Sequence, residues 1–166
     1  MTNNGHHLVG LGVAVASGLL AHRYGLSLGN ILMFCAALVS GANAPDWMEI
    51  SSAKRDWKGV WRRTSVIAHR TWTHWLPLWV AMLGFGLYLG WNLVWFAPAL
   101  VGFSLGGLLH LLVDLPNPMG IPIVHPWKRR TSLKWWKSGE NEALLIIGAW
   151  LPATLMLVAG VPGLTG

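Results

Sequence analysis

The sequence predicts an all-α integral membrane protein, a bundle of about five transmembrane helices whose N-terminus is cytoplasmic. Three observations lead to this prediction. Apolar residues make up 54% of the 166-residue chain, and the mean hydropathy is +0.48, which is above the range of a soluble domain of this size. The apolar residues are gathered in long stretches, and the basic residues lie almost entirely between these stretches. Because no internal repeat is evident, residues 1–166 are predicted to form a single domain.

The apolar stretches set the number of helices. A helix needs about 20 residues to span about 30 Å of hydrocarbon, and the chain has four stretches near that length and a shorter one before them. The stretches run from Leu8 to Ala21, Leu26 to Ala44, Thr71 to Gly90, Leu93 to Leu115 and Ala143 to Val161. Met1 to His7 contain no Lys or Arg, so the first stretch lacks the basic start of a cleavable signal. We therefore expect it to be a retained helix.

The basic residues predict the orientation. Of the 12 Lys and Arg residues, all except Arg23 lie between the second and third stretches or between the fourth and fifth. By the positive-inside rule, the N-terminus and two long loops, about residues 45–68 and 116–141, are cytoplasmic. The same rule accounts for the net charge of +6, so no nucleic-acid partner is expected. Prolines exclude a continuous helix in the second loop, and both loops are expected to be irregular binding segments.

Small and aromatic residues are placed as a helical membrane bundle requires. The motif Gly102-x-x-x-Gly106-Gly107 in the fourth helix predicts the close approach of a neighbouring backbone. Most of the 12 Trp residues fall near predicted helix ends, which is typical of anchoring at the membrane interface. A lipid-holding role for Trp135 or Trp136 is the less favoured alternative.

Ionisable residues in or beside the predicted helices are candidates for a functional site, because a bilayer disfavours them. His110 and Asp114 are four residues apart and therefore share one helix face near its cytoplasmic end. His69 and His74 are five residues apart, which would turn their side chains about 140° from each other on a regular helix. Both can bind one ion only if His69 lies in the entry segment or the first turn.

The predicted topology brings further ligand-type residues to the same side. Asp46 lies at the end of the second helix, and His6 begins the first. Imidazole and carboxylate groups together are typical ligands of a divalent metal ion. The sequence therefore predicts a metal site at the cytoplasmic mouth of the bundle. The predicted core ligands are His74, His110 and Asp114, and His6, Asp46 and His69 are expected to complete the coordination of one or two ions. His7, His22 and His125 are interpreted as interfacial or hydrogen-bonded residues.

The order and spacing of several sequence blocks resemble a known family. The blocks are Gly5-His6-His7-Leu8-Val9-Gly10, Ala44-Pro45-Asp46, His69-Arg70-Thr71-Trp72-Thr73-His74, and Gly107-Leu108-Leu109-His110-Leu111-Leu112-Val113-Asp114 running into Pro118-Met119-Gly120-Ile121-Pro122. They look like the YdjM-like, LexA-regulated inner-membrane metal-dependent hydrolases. The resemblance implies the same six metal ligands and a multi-pass protein of the bacterial inner (plasma) membrane with a cytoplasmic active face. A more distant similarity to zinc-dependent phospholipases C implies phosphoester substrates.

One position departs from the family pattern. The family commonly has Pro-Asp-x-Asp after the second helix, whereas this chain has Pro45-Asp46-Trp47-Met48, followed by Glu49. A thioether is a poor ligand for a hard divalent cation, so Met48 is not expected to replace the missing carboxylate. Either Glu49 takes its place, or the site holds fewer metal ions than its relatives do.

These observations predict a membrane-bound, metal-dependent hydrolase that acts on an ester or phosphoester of a membrane lipid. The expected cofactor is a divalent metal, zinc first, with Mn or Fe as alternatives. Zinc with an open position lowers the pKa of bound water to about 7 and so supplies a nucleophile. Three roles toward the substrate are predicted. Glu49 is the replacement carboxylate, and Glu140, or alternatively Glu142, is the general base. The phosphate-binding candidates are Arg70 and the loop residues Lys128, Arg129 and Arg130. Membrane lipid is both the environment and the expected substrate.

A second function class uses the same residues. A closed, structural metal site and an open, catalytic one are built from the same ligand types. The chain is therefore also consistent with a non-catalytic integral membrane protein that has a structural metal site, or one that binds anionic lipid or a partner through its basic loops. Ion transport is disfavoured because the third and fifth apolar stretches lack polar residues almost entirely.

Overall fold

The computed structural model describes residues 1–49, 51–55, 57–65, 70–137 and 139–160, and only the backbone in strands 51–55 and 61–65. The fold is mainly helical, as predicted. Each of the five predicted apolar stretches corresponds to one long helix. The long helices are α1 (Asn3–Arg23), α2 (Leu28–Gly41), α4 (Leu76–Trp91), α5 (Ala97–Asp114) and α6 (Glu142–Val158), and a short helix α3 (Ala44–Trp47) follows α2.

The helices differ in their capacity to cross a membrane. Within the described part of the chain, α5 is the one helix that is both long enough and apolar enough to span a bilayer. Helices α2, α4 and α6 are apolar but shorter, with 14, 16 and 17 residues. The number of five spans and the cytoplasmic N-terminus therefore stay predictions.

The two long connecting segments contain strands, so the expectation of irregular loops was wrong in this respect. Strands β1 (Ser51–Arg55) and β2 (Trp61–Ser65) form an antiparallel hairpin. Its turn includes Gly59, whose φ of +77° is the left-handed conformation that glycine adopts most readily. Strands β3 (Ile121–Pro122) and β4 (Arg130–Thr131) form a second, shorter pair. A 3-10 helix, Trp72–His74, precedes α4.

Helix α5 is the centre of the bundle. It packs against α2 on one side and α4 on the other, while α1 packs against α2 and α6. Gly102 and Gly106 lie directly on the backbone carbonyls of Phe34 and Leu38 in α2, and a Cβ atom at either glycine would collide with them. The predicted close packing at this glycine motif is therefore observed.

Helices α3, α4 and α5 meet at one end of the bundle. Ala44, Trp79, Leu111 and Ile121 form a buried apolar cluster there, which joins α3, α4, α5 and β3. The buried Trp79 ring packs against Gly107 and donates a hydrogen bond from Nε1 to the Thr73 carbonyl over 2.7 Å. This bond fixes the 3-10 helix against α4, so His74 is held at the end of α5.

Candidate metal centre

His110 occupies the centre of the polar cluster at this end of the bundle. It is fully buried, and its Nδ1 lies 2.8 Å from the carbonyl oxygen of Ala42 at the C-terminus of α2. The last carbonyls of a helix have no partner within the helix, and a carbonyl can only accept a hydrogen bond. Nδ1 of His110 must therefore carry the proton. In the neutral ring Nε2 is then left with a lone pair that points into the cluster.

His74 faces His110 with its equivalent nitrogen. The two Nε2 atoms are 3.3 Å apart, and His74 is also fully buried. On the opposite side of the His74 ring, Nδ1 lies 3.1 Å from the Thr73 hydroxyl and 3.5 Å from Glu49 Oε1. A carboxylate at Nδ1 favours the proton there, which leaves the Nε2 lone pair directed at His110. Two lone pairs at this distance repel each other unless a proton or a cation lies between them.

Asp46 completes a group of three ligand atoms. Its Oδ1 is 3.5 Å from His74 Nε2 and 3.6 Å from His110 Nε2. Burial alone would raise the pKa of the Asp46 carboxyl, but its contacts with His74 and with the other neighbouring imidazoles outweigh burial and lower the pKa to about 2. Asp46 is therefore ionised at neutral pH, as a metal ligand must be. Its side chain is 33% exposed, so the group can be reached from one side.

His6 and Asp114 lie on the other side of His110. The His6 ring stacks on the His110 ring with centroids 3.7 Å apart and planes inclined by 14°. Nε2 of His6 is 3.4 Å from Asp114 Oδ1, yet both His6 ring nitrogens are buried without a hydrogen bond. A second carboxylate oxygen, Asp114 Oδ2, lies 3.8 Å from His110 Nε2 and 4.0 Å from His74 Nε2.

Arg70 gives Asp114 a cationic partner. The Arg70 side chain is buried, with its NH2 group 2.6 Å from Asp114 Oδ2 and its NH1 group 2.9 Å from the Gly120 carbonyl. Its backbone N–H donates to Glu49 Oε1 over 2.9 Å. The α-ammonium of Met1 lies 2.9 Å from Asp114 Oδ1. Asp114 is therefore compensated by the Arg70 cation, whereas the Asp46 carboxylate faces only imidazoles among the described contacts.

The sequence profile of the YdjM inner membrane protein family matches residues 1–162, which is nearly the whole chain. The chain belongs to this family. The resemblance found in the sequence blocks is therefore confirmed, and the protein is a membrane protein.

Two curated relatives agree with this assignment. Both are named inner membrane protein YdjM, one from Escherichia coli (strain K12) and one from Shigella flexneri. Each is 34% identical to the chain over 97 residues, which cover 52% of this chain and 49% of the relative. The chain therefore spans about half the length of the curated relatives it matches. No solved structure matches the chain.

The structure brings most of the predicted metal ligands together. His6, Asp46, His74, His110 and Asp114 form one cluster, whose ligand atoms fall into two groups of three that share His110. His69 lies outside the described residues. That these side chains bind metal stays a prediction.

Three of the residues predicted to act on the substrate have other contacts. Glu49 lies on the Nδ1 side of His74, away from the facing Nε2 atoms. Arg70 is engaged with Asp114 and Gly120. Glu140 accepts a hydrogen bond from the Lys137 backbone over 2.8 Å and lines a small pocket that also includes Met1. Their catalytic roles stay predictions, and these contacts indicate positioning roles for Glu49 and Arg70.

Sequence reasoning missed the groups that orient the ligands. The Ala42 carbonyl is a backbone group, so no residue type in the sequence predicts its role. Its contact with His110 depends on where α2 ends beside α5. The pairing of Arg70 with Asp114 had a signal, because a carboxylate buried among apolar residues requires a cation. Arg70, inside the His-Arg-Thr-Trp-Thr-His block, was the available candidate.

Proposed function

We propose that the protein is a metal-dependent hydrolase that holds one divalent ion, zinc by preference, and cleaves an ester or phosphoester of a membrane lipid. One observation carries the proposal. The ring of His110 is fixed by the Ala42 carbonyl so that its Nε2 lone pair meets His74 Nε2 and Asp46 Oδ1. Three converging donor atoms, with the outer nitrogen of each imidazole beside an oxygen atom, are typical of a metal-binding set.

The separations within this set fit a small tetrahedral ion. Ligand atoms held at about 2.0–2.1 Å from zinc are roughly 3.3–3.4 Å from each other. The three donor atoms of Asp46, His74 and His110 are 3.3, 3.5 and 3.6 Å apart. Two imidazoles and one carboxylate are also suitable ligands for Mn or Fe, so metal analysis decides the identity. Zinc is the first choice because the separations approach the tetrahedral value.

The shared histidine argues for one ion at His110. The two possible ligand groups, Asp46–His74–His110 and His6–His110–Asp114, both use His110 Nε2. Because Nδ1 is committed to Ala42, His110 offers a single lone pair. The first group is the better candidate since the buried Arg70 guanidinium already neutralises Asp114. His6 and Asp114 then border the site, and either can supply a fourth ligand.

The exposed side of Asp46 favours catalysis over a purely structural role. A structural zinc site is closed by four protein ligands, whereas a catalytic site keeps one position open. A divalent ion in such a site lowers the pKa of coordinated water to about 7 and polarises an ester or phosphoryl oxygen. The chain's own residues orient the site. Glu49 holds His74 at Nδ1, and Arg70 holds Asp114.

The membrane supports a lipid as the substrate. The chain belongs to an inner membrane protein family, and the cluster lies where the end of the bilayer-length helix α5 meets the polar connecting segments. An ester or phosphodiester at the level of lipid headgroups can reach this end of the bundle. We further propose that this end faces the cytoplasm, because the basic segments flank it.

Metal analysis and lipid turnover together test the proposal. We expect purified protein stripped with chelator to take up one zinc ion, and His110→Ala to take up none, while the matched control His125→Ala behaves as wild type. We then expect the zinc-loaded protein to consume one species of an inner-membrane lipid extract, measured by mass spectrometry, and His110→Ala to consume none. Zinc uptake without any lipid turnover would leave a structural metal site and exclude the hydrolase. Absence of zinc, manganese and iron uptake would exclude the metal centre itself.

A further inference from the structure

The β1–β2 hairpin leaves the bundle directly beside the metal cluster. Its first strand begins two residues after Glu49, and the described chain resumes after it at Arg70, so both ends of the hairpin segment lie at cluster residues. Of the 12 Lys and Arg residues in the chain, five lie in this segment, against a single acidic residue, Asp56. The basic residues are Lys54, Arg55, Lys58, Arg62 and Arg63. None of them has a role in the proposed chemistry.

The strand register brings like charges together. Position 54 is directly opposite position 62, and position 55 is opposite Trp61 with Arg63 two residues further on. Like charges placed opposite each other weaken a strand pair. A two-stranded hairpin is also only marginally stable on its own in water. An anionic surface against the hairpin would offset this excess of positive charge.

The turn presents apolar and aromatic surface between these charges. Trp57 is 90% exposed and Val60 is 56% exposed. The Lys58 Nζ atom lies 4.9 Å from the centre of the Trp57 ring. A basic segment that carries an exposed Trp and an aliphatic residue is typical of a membrane interface, where the ring lies among headgroups and the charges pair with phosphates.

We propose that the hairpin is a lipid-docking element that binds the anionic headgroup layer of the membrane in which the protein is embedded. Each strand is about 17 Å long, at about 3.4 Å per residue, so the hairpin is long enough to lie along the headgroup layer beside the metal cluster. Nucleic acid, the other polyanion that such a charge could bind, fits less well because the tip carries an aliphatic residue as well as Trp57. This inference does not depend on hydrolysis.

A fluorescent probe on the hairpin tip tests the proposal. In a Cys35→Ala background, Val60→Cys is labelled with an environment-sensitive dye, and the protein is placed in nanodiscs of phosphatidylcholine with or without phosphatidylglycerol. We expect phosphatidylglycerol to shift the emission to the blue and to lower quenching by acrylamide at least about twofold, and high salt to reverse both effects. The matched control is a label on Asn92→Cys, an exposed residue beyond the last turn of α4, which we expect to respond equally in both lipids.

Charge variants separate lipid docking from a general change in the protein. Replacing Lys54, Arg55, Arg62 and Arg63 with Gln should remove the phosphatidylglycerol response. Replacing Arg62 and Arg63 with Lys should keep it, because the charge is retained. Equal quenching in the two lipids for the wild-type hairpin would overturn the proposal. Protection by an oligonucleotide but not by phosphatidylglycerol would overturn it in favour of nucleic-acid binding.

Discussion

The two halves of the cluster share His110 but have opposite electrostatic surroundings. In the half formed by Asp46 and His74, one carboxylate faces two imidazole nitrogens, each of which has its other nitrogen beside an oxygen atom. In the half formed by His6 and Asp114, the carboxylate is within 2.6 Å of an Arg70 nitrogen and 2.9 Å of the Met1 ammonium. The first half lacks a cation among the described contacts, and the second already contains the Arg70 guanidinium.

This difference indicates separate roles for carboxylates that look equivalent in the sequence. Buried charges are stable only when they are paired and hydrogen-bonded. Asp114 meets this condition with protein groups and so acts as the ionic anchor of the fold at this end of the bundle. Asp46 has no such protein cation among the described contacts, and under the proposed function the metal ion would supply it. The following predictions test whether the halves differ in this way.

The largest effect is expected at the residue that the halves share. His110→Ala removes the one nitrogen common to both ligand groups. Loss of a residue that only hydrogen-bonds a metal ligand typically lowers metal affinity by roughly 10- to 100-fold, and we expect a larger loss here. Metal content after dialysis, measured by mass spectrometry, is the readout. His22→Ala is the control, since His22 lines an apolar groove between α1 and α2. A folded His110→Ala protein with full metal content would contradict the shared-ligand geometry.

Removing the anchor should affect stability more than metal binding. Asp114→Ala leaves the Arg70 guanidinium buried without its carboxylate, and breaking one partner of a buried pair costs about 3–5 kcal/mol. We expect a corresponding loss in the free energy of unfolding, measured by denaturant titration in detergent micelles. The double variant Arg70→Met, Asp114→Leu should recover part of that loss, because no charge is left unpaired. A double variant as unstable as the single one would show that the ion pair is not the anchor.

The sequence predicted the helices well because their signal is local. Apolar stretches of sufficient length located all the long helices, and Gly102 and Gly106 identified the closest helix contact. The β1–β2 hairpin was missed since Lys54 and Arg55 interrupt any apolar alternation, and since its pairing depends on the turn at Gly59. Helix α3 was missed because it has only four residues and begins with Ala44-Pro45.

The sequence predicted which residues lie in the site, but not how their side chains are arranged around it. The assignment of helix ends to one side of the membrane predicted that His6, Asp46 and His110 lie together, although they are far apart in the chain. The sequence prediction ranked Asp114 above Asp46 as a core ligand, whereas our proposal ranks Asp46 first. That ranking depends on the Arg70 side chain and on the Ala42 carbonyl, and both contacts arise from tertiary packing.

The ranking of the two carboxylates leads to a direct comparison. Asp46→Asn should lower zinc affinity by about 100-fold, because it changes a proposed ligand. Asp114→Asn should lower it by about 10-fold, because Asp114 only borders the proposed site. Both changes preserve side-chain volume, so a difference reports ligation rather than packing. Competition with a fluorescent zinc chelator measures both affinities. Equal losses would mean that the halves bind the ion jointly, and a larger loss for Asp114→Asn would make Asp114 the ligand.

The smallest effect is expected from the residue that orients His74. Glu49→Gln keeps an acceptor near His74 Nδ1 but removes the charge, and loss of a carboxylate behind a ligating histidine typically lowers metal affinity about 10-fold. With metal saturating, lipid turnover should then be nearly normal, because Glu49 orients a ligand and does not take a proton from the substrate. Glu142→Gln is the matched control for metal affinity only, since Glu142 accepts hydrogen bonds from Thr2 at the start of α1. If Glu49→Gln instead kept full metal affinity while turnover fell by about 10²–10⁴-fold, Glu49 would be a general base.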